Sequence, residues 1–309
     1  MTIPFASALE ALLAPGARQK NDRSVFSAES VQRHAERLPP GLELVWLGTA
    51  GFRISYEGFD LLVDPYVTRH GLRKTFSGAP LLPDEQVVRE RVPRAGAILV
   101  GHTHFDHALD VPMIAAINGC SVYGSSSLTR LMRLHGVGER AVEVTPKRVY
   151  PIGPFEVTFI ESTHSKLVLG LKVPQEGELS CDHLDGLGRT AYRCGQVYGI
   201  HIAVTGTTLY HQGSADVLDD CVVHHGVDYF LAGIAGRGFT RDYTRRILSL
   251  LEPRVVIPHH YDDFFRPLGG AMGFSLNVNL GGFFDEVRRV SADFAVRTLA
   301  PLDPWGERA

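Results

Sequence analysis

Cysteine is scarce in this chain: four in 309 residues, at Cys120, Cys181, Cys194 and Cys221, with no C-x-x-C pair. So few thiols in a chain this long make no disulfide framework and fit a reducing, cytoplasmic compartment. A Cys181–Cys194 bridge across a hairpin stays open. Long apolar runs are missing as well, which speaks against stable insertion in a bilayer. The opening MTIPFASALEALLAPGARQK has no basic stretch ahead of its apolar part, so it is no secretion signal. Its weakly amphipathic 5–13 segment reads as a helix packed on the body, with membrane contact as the alternative. No charge of one sign dominates: 31 basic against 34 acidic residues give a net −3. That removes the electrostatic case for binding nucleic acid. The densest basic groups, Arg241 with Arg245-Arg246 and Arg288-Arg289, read as solvated helix faces. Repeats, low-complexity tracts and polar linkers are absent. A 1–40 helical extension, packed on one integrated 41–309 domain, is therefore expected.

What is present is a large hydrophobic share, 44% of residues, enough for a sizeable core. Strands are expected at 42–47, 52–56 and 59–63, separated by glycine-containing turns, then at 97–100 and 121–123. Helices are expected at 110–117 and 125–134. A second β-rich stretch covers 142–145, 155–161, 167–173, 190–204 and 207–210, with a polar loop at 175–188. Strands at 229–232 and 254–257 alternate with helices at 240–250 and 282–290. Two mixed sheets packed together, with helices outside, satisfy this order, which makes an α/β chain.

The densest chemistry lies in GHTHFDHALD, 101–110. His102 and His104 are two apart at a strand end, so both project to one side and can meet one cation. Asp106 and His107 follow as the chain turns and point to a neighbouring position. One stretch thus seeds two adjacent sites, whose nitrogen and carboxylate donors suit Zn, with Mn or Fe also compatible. H-x-H-x-D-H should arise by chance in roughly one such chain in a thousand.

H-x-H-x-D-H after a strand resembles the metallo-β-lactamase superfamily, and the likeness covers most of 42–299. It implies an αββα sandwich and further ligands downstream. His164 in ESTHS stands where a third histidine of the first site is expected. RVVIPHHYDDFF supplies His259 and His260. LLVDPY at 61–66, PHHYD at 258–262 and AGR at 235–237 are similar to the branch containing the L-ascorbate-6-phosphate lactonases. In that branch the histidine before Tyr is the ligand, which selects His260 and leaves His259 as a neighbouring contact. N-acylphosphatidylethanolamine phospholipase D belongs to the same wider group. One departure stands out. The family usually carries Gly-Asp after a strand, the Asp bridging both metals, whereas LYHQGSAD at 209–216 has Ser214 there. Asp216, two residues on, either reaches the metals or caps the start of a helix.

Asp64 in VDP either orients a ligand histidine or forms a turn before Pro65. Arg237, with Thr240, Arg241 and Tyr243, forms a polar group before a helix, where an anion pocket is physically reasonable. The expected chemistry is hydrolysis with two divalent cations, which bring a shared water toward a pKa of ~7. Asp106 steers its proton. No G-x-S-x-G elbow offers a serine nucleophile instead. The resemblance implies a small-molecule lactone or other ester, perhaps phosphorylated, as substrate. A phosphodiesterase and a metal-binding protein without activity are the alternatives, and homo-oligomerisation stays open.

Overall fold

The structure is a computed structural model and describes residues 15–32, 37–167, 171–275 and 278–307. The amphipathic 5–13 segment lies outside them. Two seven-stranded mixed sheets face each other. The first contains β1 (Glu43–Gly48), β2 (Gly51–Tyr56), β3 (Phe59–Val63), β4 (Ala97–Leu99), β5 (Ser121–Gly124), β6 (Ala141–Glu143) and β14 (Pro304–Gly306). Its order is β14-β1-β2-β3-β4-β5-β6. The second contains β7 (Val149–Ile152), β8 (Phe155–Ser162), β9 (Val197–Val204), β10 (Thr207–Gln212), β11 (Tyr229–Gly233), β12 (Val255–His259) and β13 (Ala295–Val296), in the order β13-β12-β11-β10-β9-β8-β7.

Local sequence explains the antiparallel meander β1-β2-β3. Glu57 (φ +47°) and Gly58 (φ +76°) form a two-residue loop with both residues left-handed, the turn whose twist matches a hairpin. Beyond it the pairing turns parallel through β3, β4, β5 and β6. The intervening crossovers carry helices Glu85–Arg91, Val111–Asn118 and Ser126–Leu134. Phe52, Ile54, Leu61, Phe159, Ile200 and Ile202 are fully buried in the core between the sheets. Val88, Ile114 and Leu131 join a separate apolar cluster with Leu62, Ile98 and Val122 of the first sheet. Helices Tyr243–Leu251 and Leu280–Val290 add Ile247, Leu248 and Phe283 to the main core. The expected αββα sandwich is what forms.

Helix Pro15–Gln32 joins the body through Asp22, whose Oδ1 accepts the Leu280 amide at 2.9 Å. Some local expectations differ. The strand expected over 190–204 starts only at Val197, because 190–196 must curve around Thr103, whose amide donates to the Cys194 carbonyl at 3.0 Å. Residue 167 and residues 171–173 belong to no strand. Helix Glu85–Arg91 was missed because it is short; its start is fixed by Asp84, which accepts the Val87 amide at 3.1 Å. All four cysteines are free, so the Cys181–Cys194 bridge does not form.

β3, β4, β8, β10 and β12 all end at the same edge of the sandwich, since β3 runs parallel to β4 and β8 lies two antiparallel steps from β10. Open α/β sheets place ligands at the carboxyl ends of their strands.

Candidate metal centre

β4 delivers the histidine stretch to that edge. The Gly101 amide donates to Asp64 Oδ1 at 2.7 Å, and the Gly101 carbonyl accepts the Tyr198 amide at 2.8 Å, so one residue ties the two sheets together. His102 and His104 follow in extended backbone, and His102 Nε2 lies 3.1 Å from His104 Nδ1. The His164 ring, just beyond β8, centres 5.0 Å from that of His102 and 4.8 Å from that of His104. A single helical turn, Phe105–Ala108, then carries Asp106 and His107 to a neighbouring position, with the His107 ring centred 3.8 Å from that of His102. His260, after β12, places Nε2 3.2 Å from Asp106 Oδ2, with His107 Nε2 3.9 Å from the same oxygen. Among the described residues three overlapping buried groups result, His102-His104-His164, Asp106-His107-His260 and, linking them, Asp64-His102-His107, each with donor atoms within 4.8 Å of one another.

The outer ring nitrogens show what the inner ones are for. His104 Nε2 pairs with the Pro174 carbonyl, His164 Nδ1 with the Ser165 carbonyl and His107 Nδ1 with Asp64 Oδ2, all at 2.8 Å. A carbonyl or carboxylate can only accept, so each of these nitrogens carries the proton. In the neutral ring the opposite nitrogen is then a bare lone pair facing its neighbours, as a cation requires. Burial reinforces this in the first trio. It pushes His104 down to about 4 and His164 to about 3, and holds His102 well below the usual imidazole range, with the neighbouring imidazoles adding to it. His107 differs. Burial opposes its charge, but the Asp64 and Asp106 carboxylates outweigh burial and raise its pKa. Burial likewise opposes the Asp106 carboxylate, yet His107 and His260 hold it below the usual carboxylate range. These donors could hold a divalent metal ion.

The remaining candidates fall elsewhere. His259 faces the interior, stacked 5.0 Å from His211 and edge-on to Phe52 at 5.2 Å, because successive residues of a strand point to opposite sides. His211 is a packed strand histidine whose Nε2 pairs with the Ala50 carbonyl at 2.9 Å. Asp216 lies outside the donor groups found among the described residues. Its carboxylate turns away to Arg246, 3.3 Å off, and to the Val217 amide, so it neither joins a donor group nor caps a helix. Ser214 does not substitute for it, since its hydroxyl donates to the Thr163 carbonyl at 3.0 Å. Arg237 is likewise engaged within the fold. Its guanidinium donates to the carbonyls of Val278 and Asn279 and to Glu286, which uses it to close the start of helix Leu280–Val290 rather than to bind an anion.

Gly213 escaped the sequence reading. A Cβ there would fall 2.8 Å from Asp64 Oδ2 and 3.4 Å from His107 Cε1, so glycine leaves the room that this pair occupies. Its only sequence signal is a glycine directly after a strand. Beside His164 opens a cavity of about 230 Å³, with Glu161, Glu176, Gln196 and Tyr198 among its lining residues. Among the described residues, no arginine or lysine lines it.

Residues 43–260 match the model of the beta-lactamase superfamily domain. A UPF0173 metal-dependent hydrolase of Cereibacter sphaeroides is 30% identical over 230 residues, 72% of this chain and 87% of that protein. Another from Carboxydothermus hydrogenoformans is 27% identical over 251 residues, 77% of this chain and 96% of its own length. Among solved structures, a metallo hydrolase from the archaeon Ignicoccus hospitalis superposes with a TM-score of 0.57 at 16% identity. That alignment covers 85% of this chain and 97% of the other.

Proposed function

Since this chain belongs to the beta-lactamase superfamily, with UPF0173 metal-dependent hydrolases among its relatives, we propose that it hydrolyses a carboxylic ester or lactone at a two-cation centre. The observation that carries this reading is the pair of donor groups His102-His104-His164 and Asp106-His107-His260, in which the outer nitrogens of His104, His164 and His107 are tied to oxygen acceptors. His102, His104 and His164 would hold one cation, and Asp106, His107 and His260 the other. Zinc suits the imidazole-rich first group best. Bound there, the cations would supply Lewis-acid polarisation of the substrate carbonyl and a water acidic enough to react at neutral pH.

The protein's own residues do the rest. Asp64 keeps the His107 proton on Nδ1. Asp106, ionised at neutral pH, accepts at Oδ2 and steers the proton of the attacking water. Water adds to the carbonyl carbon, the acyl C–O bond breaks, and a carboxylic acid and an alcohol form; in a lactone both stay on one molecule. With Ser214 where the family resemblance implies a bridging aspartate, the second cation would depend on three protein donors. The cavity beside His164 supports an ester over a phosphodiester, because among the described residues its lining carries Glu161 and Glu176 and no arginine or lysine. The Arg237 guanidinium is committed elsewhere.

The test is elemental analysis of protein purified without added metal, followed by assay of uncharged lactones, aryl esters and phosphodiesters. Two metal equivalents and ester turnover abolished by Asp106→Asn are expected. Turnover confined to phosphodiesters would sink the ester reading. Bound metal without any turnover would leave a metal-binding protein without activity.

A further inference from the structure

His260 holds a backbone conformation that L residues rarely adopt, φ +62°, and so do two other non-glycine residues, Thr49 at +50° and Arg69 at +49°. Such conformations persist only where the surroundings over-determine them. Here the determinants form a chain of contacts. The His260 amide donates to the Thr49 carbonyl at 2.8 Å. The Thr49 amide donates to Asp262 Oδ1 at 3.0 Å. Asp262 Oδ2 pairs with the Arg69 guanidinium at 2.7 Å, and both side chains are 2% exposed. That guanidinium lies against Gly48, where a Cβ would fall 1.9 Å from one of its nitrogens. The loops after β1, β3 and β12 are thereby locked together.

None of the donor groups includes Arg69 or Asp262. A buried ion pair is also a poor device for stability alone, because desolvation offsets its attraction and apolar residues of similar size do as well. We propose that the Arg69–Asp262 pair is a positioning device for His260. It clamps Thr49, Thr49 holds the His260 amide, and the strained backbone then aims the imidazole at Asp106. This rests on the metal centre proposed above, but not on its being catalytic.

The experiment is cobalt(II) titration of the metal-depleted full-length protein, followed by the absorption bands of each bound ion. Asp262→Asn keeps the side chain's size and an acceptor for Thr49 but leaves Arg69 without a counter-charge. It should weaken the second cation about tenfold or more, in the range seen when groups supporting metal ligands are removed. The first cation's affinity and spectrum should stay as in the wild type. Arg69→Met should do the same, and Arg69→Lys, which keeps the charge, should recover most of the loss. Unchanged binding of both ions in Asp262→Asn and Arg69→Met overturns the proposal. Equal weakening at both groups also overturns it, by showing general destabilisation. A wild-type protein that takes up no cobalt sinks the metal centre and the clamp together, whereas two tight ions in every variant sink only the clamp.

Discussion

Replacing Asp64 by Asn exchanges one oxygen for an NH₂ group at a wholly buried position. The wild-type carboxylate accepts twice, from the Gly101 amide at 2.7 Å and from His107 Nδ1 at 2.8 Å. Asn has one oxygen, so only one of these bonds survives. The backbone there is left-handed, φ +43°, a conformation that Asn tolerates, which confines the change to the side chain. If the oxygen stays on Gly101, the NH₂ faces His107 Nδ1 and the proton moves to Nε2, the atom that should bind the second cation. Loss of a partner that fixes a ligand's tautomer typically weakens metal binding about 10- to 100-fold. That is ~1.4–2.7 kcal/mol. A charge-assisted hydrogen bond worth about 1.5–3 kcal/mol of folding stability is lost as well. Cobalt titration should show weak binding at the second group and wild-type binding at the first, because His102, His104 and His164 do not hydrogen-bond to Asp64. Wild-type affinity for both ions in Asp64→Asn would refute the argument, as would selective loss of the first.

Asp216→Ala should leave the metal content unchanged and cost under about 1 kcal/mol, because the Arg246 pair it removes is partly exposed (21% and 26%). Loss of either metal in that variant would mean that Asp216 does reach the centre. Burial lowers His135 to about 4, and burial with His224 lowers His201 to about 4. A depressed histidine favours the folded state only while it is neutral, so its stability contribution is full above the unfolded value near 6.5 and is lost as pH falls toward 4. Urea unfolding between pH 7 and 4.5 should therefore show declining stability, with a shallower decline in His135→Leu. A steeper or unchanged slope in that variant would count against the sign.

The sequence by itself determined most of the elements and indicated the first half of the candidate site. Strand and helix periodicity reports which face of each segment is apolar, and that is enough to order two sheets with helices outside. H-x-H-x-D-H was legible because its geometry is local: an i,i+2 pair in extended chain, then one helical turn. His164 and His260 came only through family likeness, since nothing within either segment indicates a shared destination. Tertiary structure alone decided the rest. Where a strand ends decides which neighbour faces the centre, so His260 and His259, adjacent in sequence, have opposite environments. Asp216 and Arg237 carry the right charge for a site, yet Arg246 and the open carbonyls of Val278 and Asn279 lie closer and claim them. Arg69 and Asp262 stand 193 residues apart, and their pairing exists only once the loops after β3 and β12 meet. Short-range geometry is written in neighbouring residues, whereas competition between distant partners for one charge is settled only when the chain has closed around them.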